Sequence, residues 1–207
     1  MSVSNNPSEW HPDLQEDRLI PLAQFFATVC AEVALLHDAS AGDDGWSLGC
    51  RRNARWRHRL AKKAQSREWP WFSVIKSGKR FVFSIGSVPV RFYRGRHNKP
   101  TLNTLAHDAP ELEQLSIAFK GTDTPFKDLH YRFAIETGLL GEPTAVVFAG
   151  LAKEDGSVVC HWKLPFDAVE LQAVAPAEPR IDDIVELPAP VVGVKPAIST
   201  DTRNDAS

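Results

Sequence analysis

The residues best suited to chemistry are cations that recur along one predicted helix. Residues 48–67, LGCRRNARWRHRLAKKAQSR, place six of them within an arc of about 120° on a helical wheel. Lysine and arginine bind phosphates with release of counterions, so this arc predicts contact with a nucleic-acid backbone. The cationic arc contains Arg51, Arg52, Arg55, Arg59, Lys62 and Lys63. The other arc is expected to be buried and contains Cys50, Ala54, Trp56, Leu60, Ala61 and Ala64.

A second group of cations alternates with aromatic residues over residues 70–95. Turn signals at Ser77-Gly78 and Gly86-Ser87 divide this segment into three strands of a meander. The alternation predicts a core face of Phe72, Val74, Phe81, Phe83, Ile85, Val88, Val90 and Phe92. The other face is mixed, and its exposed rings can stack on unpaired bases. With the loop that follows, it supplies the candidate nucleic-acid contacts Trp71, Arg80, Arg91, Tyr93, Arg94 and Arg96.

The distribution of charge supports the same interpretation. The chain of 207 residues has a formal net charge of −2, but residues 51–99 contain 15 of its 24 lysines and arginines. Their only acidic residue is Glu68, so this segment carries +14 and the remainder carries −16. The near-neutral total therefore conceals a strongly dipolar sequence.

Three explanations of this basic segment stay open. It binds DNA or RNA, or it holds an acidic protein partner as inhibitors, antitoxins and complex subunits do. The third possibility is an ordinary solvated surface whose cations pair with acids elsewhere in the chain. No zinc finger, helix-turn-helix spacing or RNP aromatic motif accompanies the cations to choose among these.

No combination of side chains predicts a catalytic centre. His107-Asp108 and Asp128-Leu129-His130 offer metal ligands, but neither has a HExxH or HxH companion. Cys50 stands near a predicted helix start, yet its wheel position favours a buried structural thiol. No GxSxG, P-loop or GxGxxG motif occurs. We therefore expect a non-enzymatic protein with no metal and no cofactor.

The order of a helix followed by three strands invites comparison with the restriction-endonuclease-like nuclease core. An active core of that type needs carboxylates on its second and third strands to hold Mg²⁺. Here those strands read RFVFSIG and VPVRFYRG, without a carboxylate. The comparison thus excludes an active nuclease of that type. A relative that binds nucleic acid without cleaving it stays conceivable, on the analogy that its elements follow the same order.

The elements that position these residues predict an α+β fold. Apolar spacing over residues 17–36 indicates a core helix, and a short helix begins with a capping-box-like Asp108 and Glu111. A C-terminal hairpin turning at Asp155-Gly156 follows, and its register places one set of residues on a single face: Val147, Ala149, Leu151, Val158, Cys160, Trp162 and Leu164. We expect an antiparallel-rich sheet, with the meander plus this hairpin, packed by two or three helices. Pro89 places the third strand at a sheet edge or directs this position away from the ladder.

Composition sets the boundaries of this single domain at residues 17–172. Residues 1–16 are polar and indicate an arm that is either flexible or docked on the domain. Of these two alternatives we predict a flexible arm. Residues 173–207 are rich in proline and acids and predict a disordered tail. The start of the chain lacks a basic segment followed by an apolar run, so we expect no signal peptide, no membrane contact and a cytoplasmic location.

Overall fold

The computed structural model describes residues 6–167 and has an α+β fold within them, as predicted. Its α-helices are Pro7–Trp10 (α1), Glu16–Leu35 (α2), Gly45–Ser66 (α3), Leu102–Leu105 (α4) and Ala109–Ala118 (α5). Its strands are Phe72–Lys76 (β1), Val82–Ile85 (β2), Val88–Arg94 (β3), Leu129–Thr137 (β4), Pro143–Ala152 (β5) and Val158–Leu164 (β6). The predicted tail, residues 173–207, lies outside the described residues.

The six strands form one sheet in which spatial order follows chain order. All neighbours are antiparallel except β3 and β4, which are parallel. A parallel pair requires a crossover connection, and here the crossover carries α4 and α5. Because β3 pairs with β4, β3 is not an edge strand, and the structure agrees with the other alternative predicted for Pro89, a position outside the β3–β4 ladder. Pro89 is tolerated because the β3–β4 register begins at Val90, opposite Tyr131.

Helices α2 and α3 pack on one face of the sheet and enclose the main core. Phe26 of α2 is fully buried, and its ring centroid lies 5.7 Å from that of Trp56 and 5.2 Å from that of Phe133. All eight residues of the meander predicted to face the core pack here: Phe72, Val74, Phe81, Phe83, Ile85, Val88, Val90 and Phe92. The predicted alternation of the meander is therefore confirmed.

Helix α2 is long and apolar enough to cross a membrane by length and composition alone, and it is the one such helix among the described residues. In this structure Leu22, Phe26 and Val33 of α2 are fully buried against the sheet and α3. The core helix of a globular domain has the same composition, so the apolar character of α2 is accounted for by its packing.

Two of the predicted turns differ from the structure. A two-residue turn at Ser77-Gly78 would pair Lys76 with Lys79, but Lys76 pairs with Val82 because a bulge follows Val74 and the loop is longer than two residues. In the C-terminal hairpin, a bulge at Gly150 shifts the pairing of β5 with β6 by one residue. The side chains of β5 before the bulge therefore point to the face opposite to the one that a regular hairpin gives them. Phe148 therefore faces the main core, whereas Val147, predicted on that face, lies on the opposite one. The predicted Gly86-Ser87 turn is present, with Ile85 opposite Val88.

The described part of the N-terminal arm is docked, so the expectation of a flexible arm is wrong for residues 6–16. Asn6 caps α1 by accepting a hydrogen bond from the backbone N–H of Ser8. The ring of Trp10 is 1% exposed and stacks on Phe148 at 5.9 Å. Leu14 is also fully buried, so the arm closes one end of the main core.

This docking predicts a large contribution of Trp10 to stability. Trp10→Ala should lower the free energy of unfolding by about 3–5 kcal/mol, because it empties a closed apolar site. Trp46→Ala is the matched control, since the ring of Trp46 is 76% exposed. Its effect should stay within about 0.5 kcal/mol. Urea denaturation of both variants measures the difference, and equal stability of the two would contradict a docked arm.

Candidate functional site

Four of the predicted phosphate contacts on α3 are engaged in ion pairs within the protein. The carboxylate of Glu32 on α2 accepts bidentate hydrogen bonds from Nη1 and Nη2 of Arg59, at 2.9 and 2.6 Å, and lies 3.9 Å from Arg55. Arg51 bonds both carboxylate oxygens of Asp43 at 2.9 and 3.1 Å, and Lys63 lies 2.5 Å from Glu68. These pairs neutralise most of the outer side of α3, as the solvated-surface explanation expects.

Arg52, predicted on the cationic surface, is completely buried. The buried stripe of α3 follows i, i+4 spacing and consists of Leu48, Arg52, Trp56 and Leu60. Arg52 donates from Nη2 to the carbonyl of Gly141 at 2.6 Å, and burial lowers its pKa. The wheel prediction was wrong here because the β4–β5 turn packs on this side of α3. Cys50 and Ala54, predicted to be buried, are exposed instead.

The predicted stacking surface on the meander does not form as one platform. Trp71 stacks on Trp69 at 5.3 Å and packs against the edge of the main core. Tyr93 lies on the opposite face of the sheet, packed against Val147 and its neighbours. Arg80 is exposed but pairs with Asp108 at 3.1 Å. Of the two candidate rings, Tyr93 alone borders a basic concavity.

That concavity is a groove between α3 and the β3–β4 crossover, which we call the α3–α4 groove. Its inner cavity has a volume of about 220 Å³ and adjoins an outer cavity of about 640 Å³. The two share Asn53, Arg57, Arg94 and Asn103. The inner cavity is also lined by Lys79, Phe81, Arg91, Phe92, Tyr93, Thr101 and Thr104, and the outer by Gly45, Trp46, Gly49 and Cys50.

Three cations of the α3–α4 groove have no acidic partner among the described residues, whereas Arg91 at its inner end faces Glu111. Within residues 6–167, Arg57, Lys79 and Arg94 take part in no ion pair, and no carboxylate lines either cavity. Arg57 is oriented by donating to the carbonyl of Gly78 at 2.9 Å. The guanidinium of Arg94 crosses to α3 beside Gly49, where no side chain intervenes. Their charges are therefore available to an external anion.

The α4 wall of the groove is fastened to the sheet by two buried arginines. Arg132 donates from Nε to the carbonyl of Thr104 at 3.1 Å, and Arg91 donates to the carbonyl of Ala106. The carboxylate of Glu111 lies 2.5 Å from Arg132 and 3.8 Å from Arg91, and all three residues are buried. The Arg91–Glu111–Arg132 cluster thus fixes the segment that carries Thr101 and Asn103.

The predicted capping box at the start of α5 is not formed, because both of its acids serve this region differently. Asp108 is the N-cap residue but makes no side-chain capping bond. Its carboxylate lies 3.2 Å from Lys76 and 3.1 Å from Arg80, which lower its pKa against the opposing effect of burial. Glu111 turns into the sheet instead of back to the cap.

The predicted site residues are thus separated by the fold. Arg91, Tyr93 and Arg94 meet at the groove, and Arg96 lies in a separate shallow cavity with Glu136. Lys62 lines an open concavity on the far side of α3, among paired cations. Sequence reasoning missed Trp46, Asn53, Arg57, Lys79, Thr101 and Asn103. Spacings of 7 and 11 residues put Trp46, Asn53 and Arg57 on one helix stripe, which is the signal available for three of them.

The lining of the groove combines cations with neutral polar side chains. Within residues 6–167 no group of three histidine, cysteine or acidic side chains is arranged to hold a metal ion. Neither cavity is lined by histidine or by a carboxylate, and the exposed Cys50 lacks such a neighbour in the lining.

Comparison with known proteins adds no further constraint. No protein-family model matches the chain, and neither the curated proteins nor the solved structures include a significant match. The function proposed below accordingly depends on the geometry and charge of the α3–α4 groove.

The burial of His130 beside the Arg91–Glu111–Arg132 cluster predicts that the folded protein loses stability in acid. Burial first, and then the charge of Arg132, lower its pKa from 6.5 to about 3. Below pH 6.5 this histidine therefore binds a proton in the unfolded chain, whereas it stays neutral in the folded protein down to a pH of about 3. Folding stability should fall as the pH drops from 6.5 towards 3, at up to about 1.4 kcal/mol per pH unit from this group.

Urea denaturation across this pH range tests the prediction. His130→Gln should remove that part of the slope whatever its effect on absolute stability, because the new side chain does not titrate. His107→Gln is the control, since His107 stacks on His130 at 5.5 Å but is exposed. A slope unchanged by His130→Gln would show that His130 does not stay neutral in the folded protein.

Proposed function

We propose that this protein is a non-enzymatic nucleic-acid-binding or accessory protein whose ligand occupies the α3–α4 groove. The observation that carries the proposal is the convergence of Arg57, Lys79 and Arg94 on a concavity without a carboxylate. Phosphate groups are the anions that such a set of cations binds most generally in a nucleic acid. Arginine adds directional hydrogen bonds to phosphate oxygens.

The neutral side chains of the groove support a phosphate ligand. Asn53 and Asn103 line both cavities, and Thr101 lines the inner one. Asparagine and threonine commonly donate hydrogen bonds to phosphate oxygens and fix the register of the strand. The groove thus combines charge with neutral donors, whereas the outer side of α3 offers cations that already have carboxylate partners.

An acidic protein partner is the second candidate, and a distinct observation favours it. Large apolar side chains are exposed around the beginning of α3: Leu35, Leu36, Trp46, Leu139 and Leu140. The leucines of the β4–β5 turn are joined to this region because Gly141 packs against Leu48 and Arg52. Exposed apolar clusters beside polar surface are characteristic of protein interfaces. The same cations would then bind carboxylates.

Two triple variants with the same change in charge separate groove binding from general basicity. Arg57→Ala/Lys79→Ala/Arg94→Ala removes the unpaired cations, whereas Arg55→Ala/Arg59→Ala/Lys63→Ala removes paired ones. The groove variant should bind a mixed-sequence oligonucleotide far more weakly. The slope of log affinity against log salt concentration should also become less steep by between about 2 and 3. Each lost phosphate contact reduces the magnitude of this slope by about 0.7 to 0.9.

The paired-cation variant should retain most of the affinity and of the salt slope. Fluorescence-anisotropy titrations at several salt concentrations measure both quantities, and thermal melting verifies that each variant is folded. Equal losses in the two variants would mean that overall charge, and not the groove, attracts the ligand. If the parent protein binds no DNA or RNA at low salt, the nucleic-acid proposal is wrong and the acidic-partner proposal takes its place.

A further inference from the structure

The outer part of the α3–α4 groove contains an aromatic side chain with no packing role. Trp46 is in the first turn of α3 and is 76% exposed, whereas Trp10 and Trp56 are almost completely buried. The backbone around Trp46 is nevertheless ordered by a capping box. Asp44 accepts hydrogen bonds from the N–H groups of Trp46 and Ser47, and the Oγ of Ser47 accepts one from the backbone N–H of Asp44. A large apolar ring is therefore held in solvent by a well-formed helix start.

The ring belongs to the same stripe of α3 as the polar residues of the groove. Asn53 and Arg57 follow Trp46 by 7 and 11 residues, which returns each to nearly the same side of a helix. At 1.5 Å per residue, Trp46 and Arg57 are separated by about 16 Å along the axis. Between them, Gly49 and Cys50 line the outer cavity with small side chains. The stripe thus forms an elongated floor with a ring at one end and a cation at the other.

From this arrangement we infer that the α3–α4 groove takes single-stranded nucleic acid, with a base stacked on Trp46 and a phosphate in the inner cavity. The inference rests on the proposed function and specifies its ligand. In the inner cavity, Arg57, Lys79 and Arg94 surround the phosphate, and Asn53 and Thr101 donate to its oxygens. An unpaired base has a free face for the indole ring, and such stacking is tolerant of sequence.

A duplex fits the same features poorly. Its bases are already stacked and paired, so Trp46 has no base face to meet without unstacking. The inner cavity has a volume of only about 220 Å³ and is lined on the crossover side by Thr101, Asn103 and Thr104. The side of α3 that could approach a duplex backbone presents Glu32 and Asp43 beside their arginine partners, so its net charge is small.

Competition between strand forms and substitution of Trp46 test the inference. We expect oligo(dT) to bind the full chain at least about tenfold more tightly than a duplex at the same salt concentration. Trp46→Ala should weaken oligo(dT) binding by at least about fivefold, the lower end expected for the loss of one stacked base. It should leave the salt slope and any duplex binding unchanged. Trp46→Phe keeps an aromatic face and should restore most of the affinity.

The control is Leu140→Ala, because Leu140 is exposed near the beginning of α3 but does not line the groove. It should leave oligo(dT) binding unchanged. Preferential binding of duplex, or full affinity in Trp46→Ala, would overturn the single-strand inference while the groove proposal survives through Arg57 and Arg94. Failure of every nucleic acid to bind would instead remove the proposed function itself.

Discussion

The contact between Glu111 and Arg132 is the interaction on which the architecture of the groove depends. Both side chains are buried, and Arg91 lies at the other oxygen of the same carboxylate. Desolvating two guanidinium groups is costly, and burial indeed lowers the pKa of Arg132 to about 10. The carboxylate of Glu111 offsets this cost, and the carbonyls of Thr104 and Ala106 satisfy further N–H groups. Removing Glu111 would leave two like charges buried together beneath α4.

The cluster also explains why the α4 part of the crossover between β3 and β4 keeps its position although Thr104 is the one buried residue of α4. Helix α4 has four residues, and Leu102 at its start is largely exposed. A segment of this kind gains little from the hydrophobic effect, so its position depends on directional contacts from the sheet. Arg91 on β3 and Arg132 on β4 supply them at adjacent positions of the parallel register. The parallel pairing of β3 with β4 thereby requires the crossover and also places the two arginines that hold it in position.

The sequence was informative where one element decides the outcome and misleading where two elements meet. Alternation alone assigned the core face of the meander correctly, from Phe72 to Phe92, because successive side chains of a strand point to opposite faces whatever covers it. The wheel misplaced Arg52 because the stripe that α3 buries is chosen by α2 and by the β4–β5 turn. Bulges at Val74 and Gly150 changed the registers of two hairpins without a sequence signal strong enough to locate them.

The charge count of a segment depends on packing in the same way. The excess of +14 over residues 51–99 describes the segment, whereas binding depends on the cations that remain unpaired after folding. Glu32 and Asp43, which form ion pairs with three arginines of α3, precede that segment in the chain. The partners could not be assigned until α2 and α3 were packed together. A chain with net charge −2 can therefore still present a cationic groove. The Debye length is about 8 Å at physiological salt, so acids on other surfaces scarcely weaken the field of Arg57, Lys79 and Arg94.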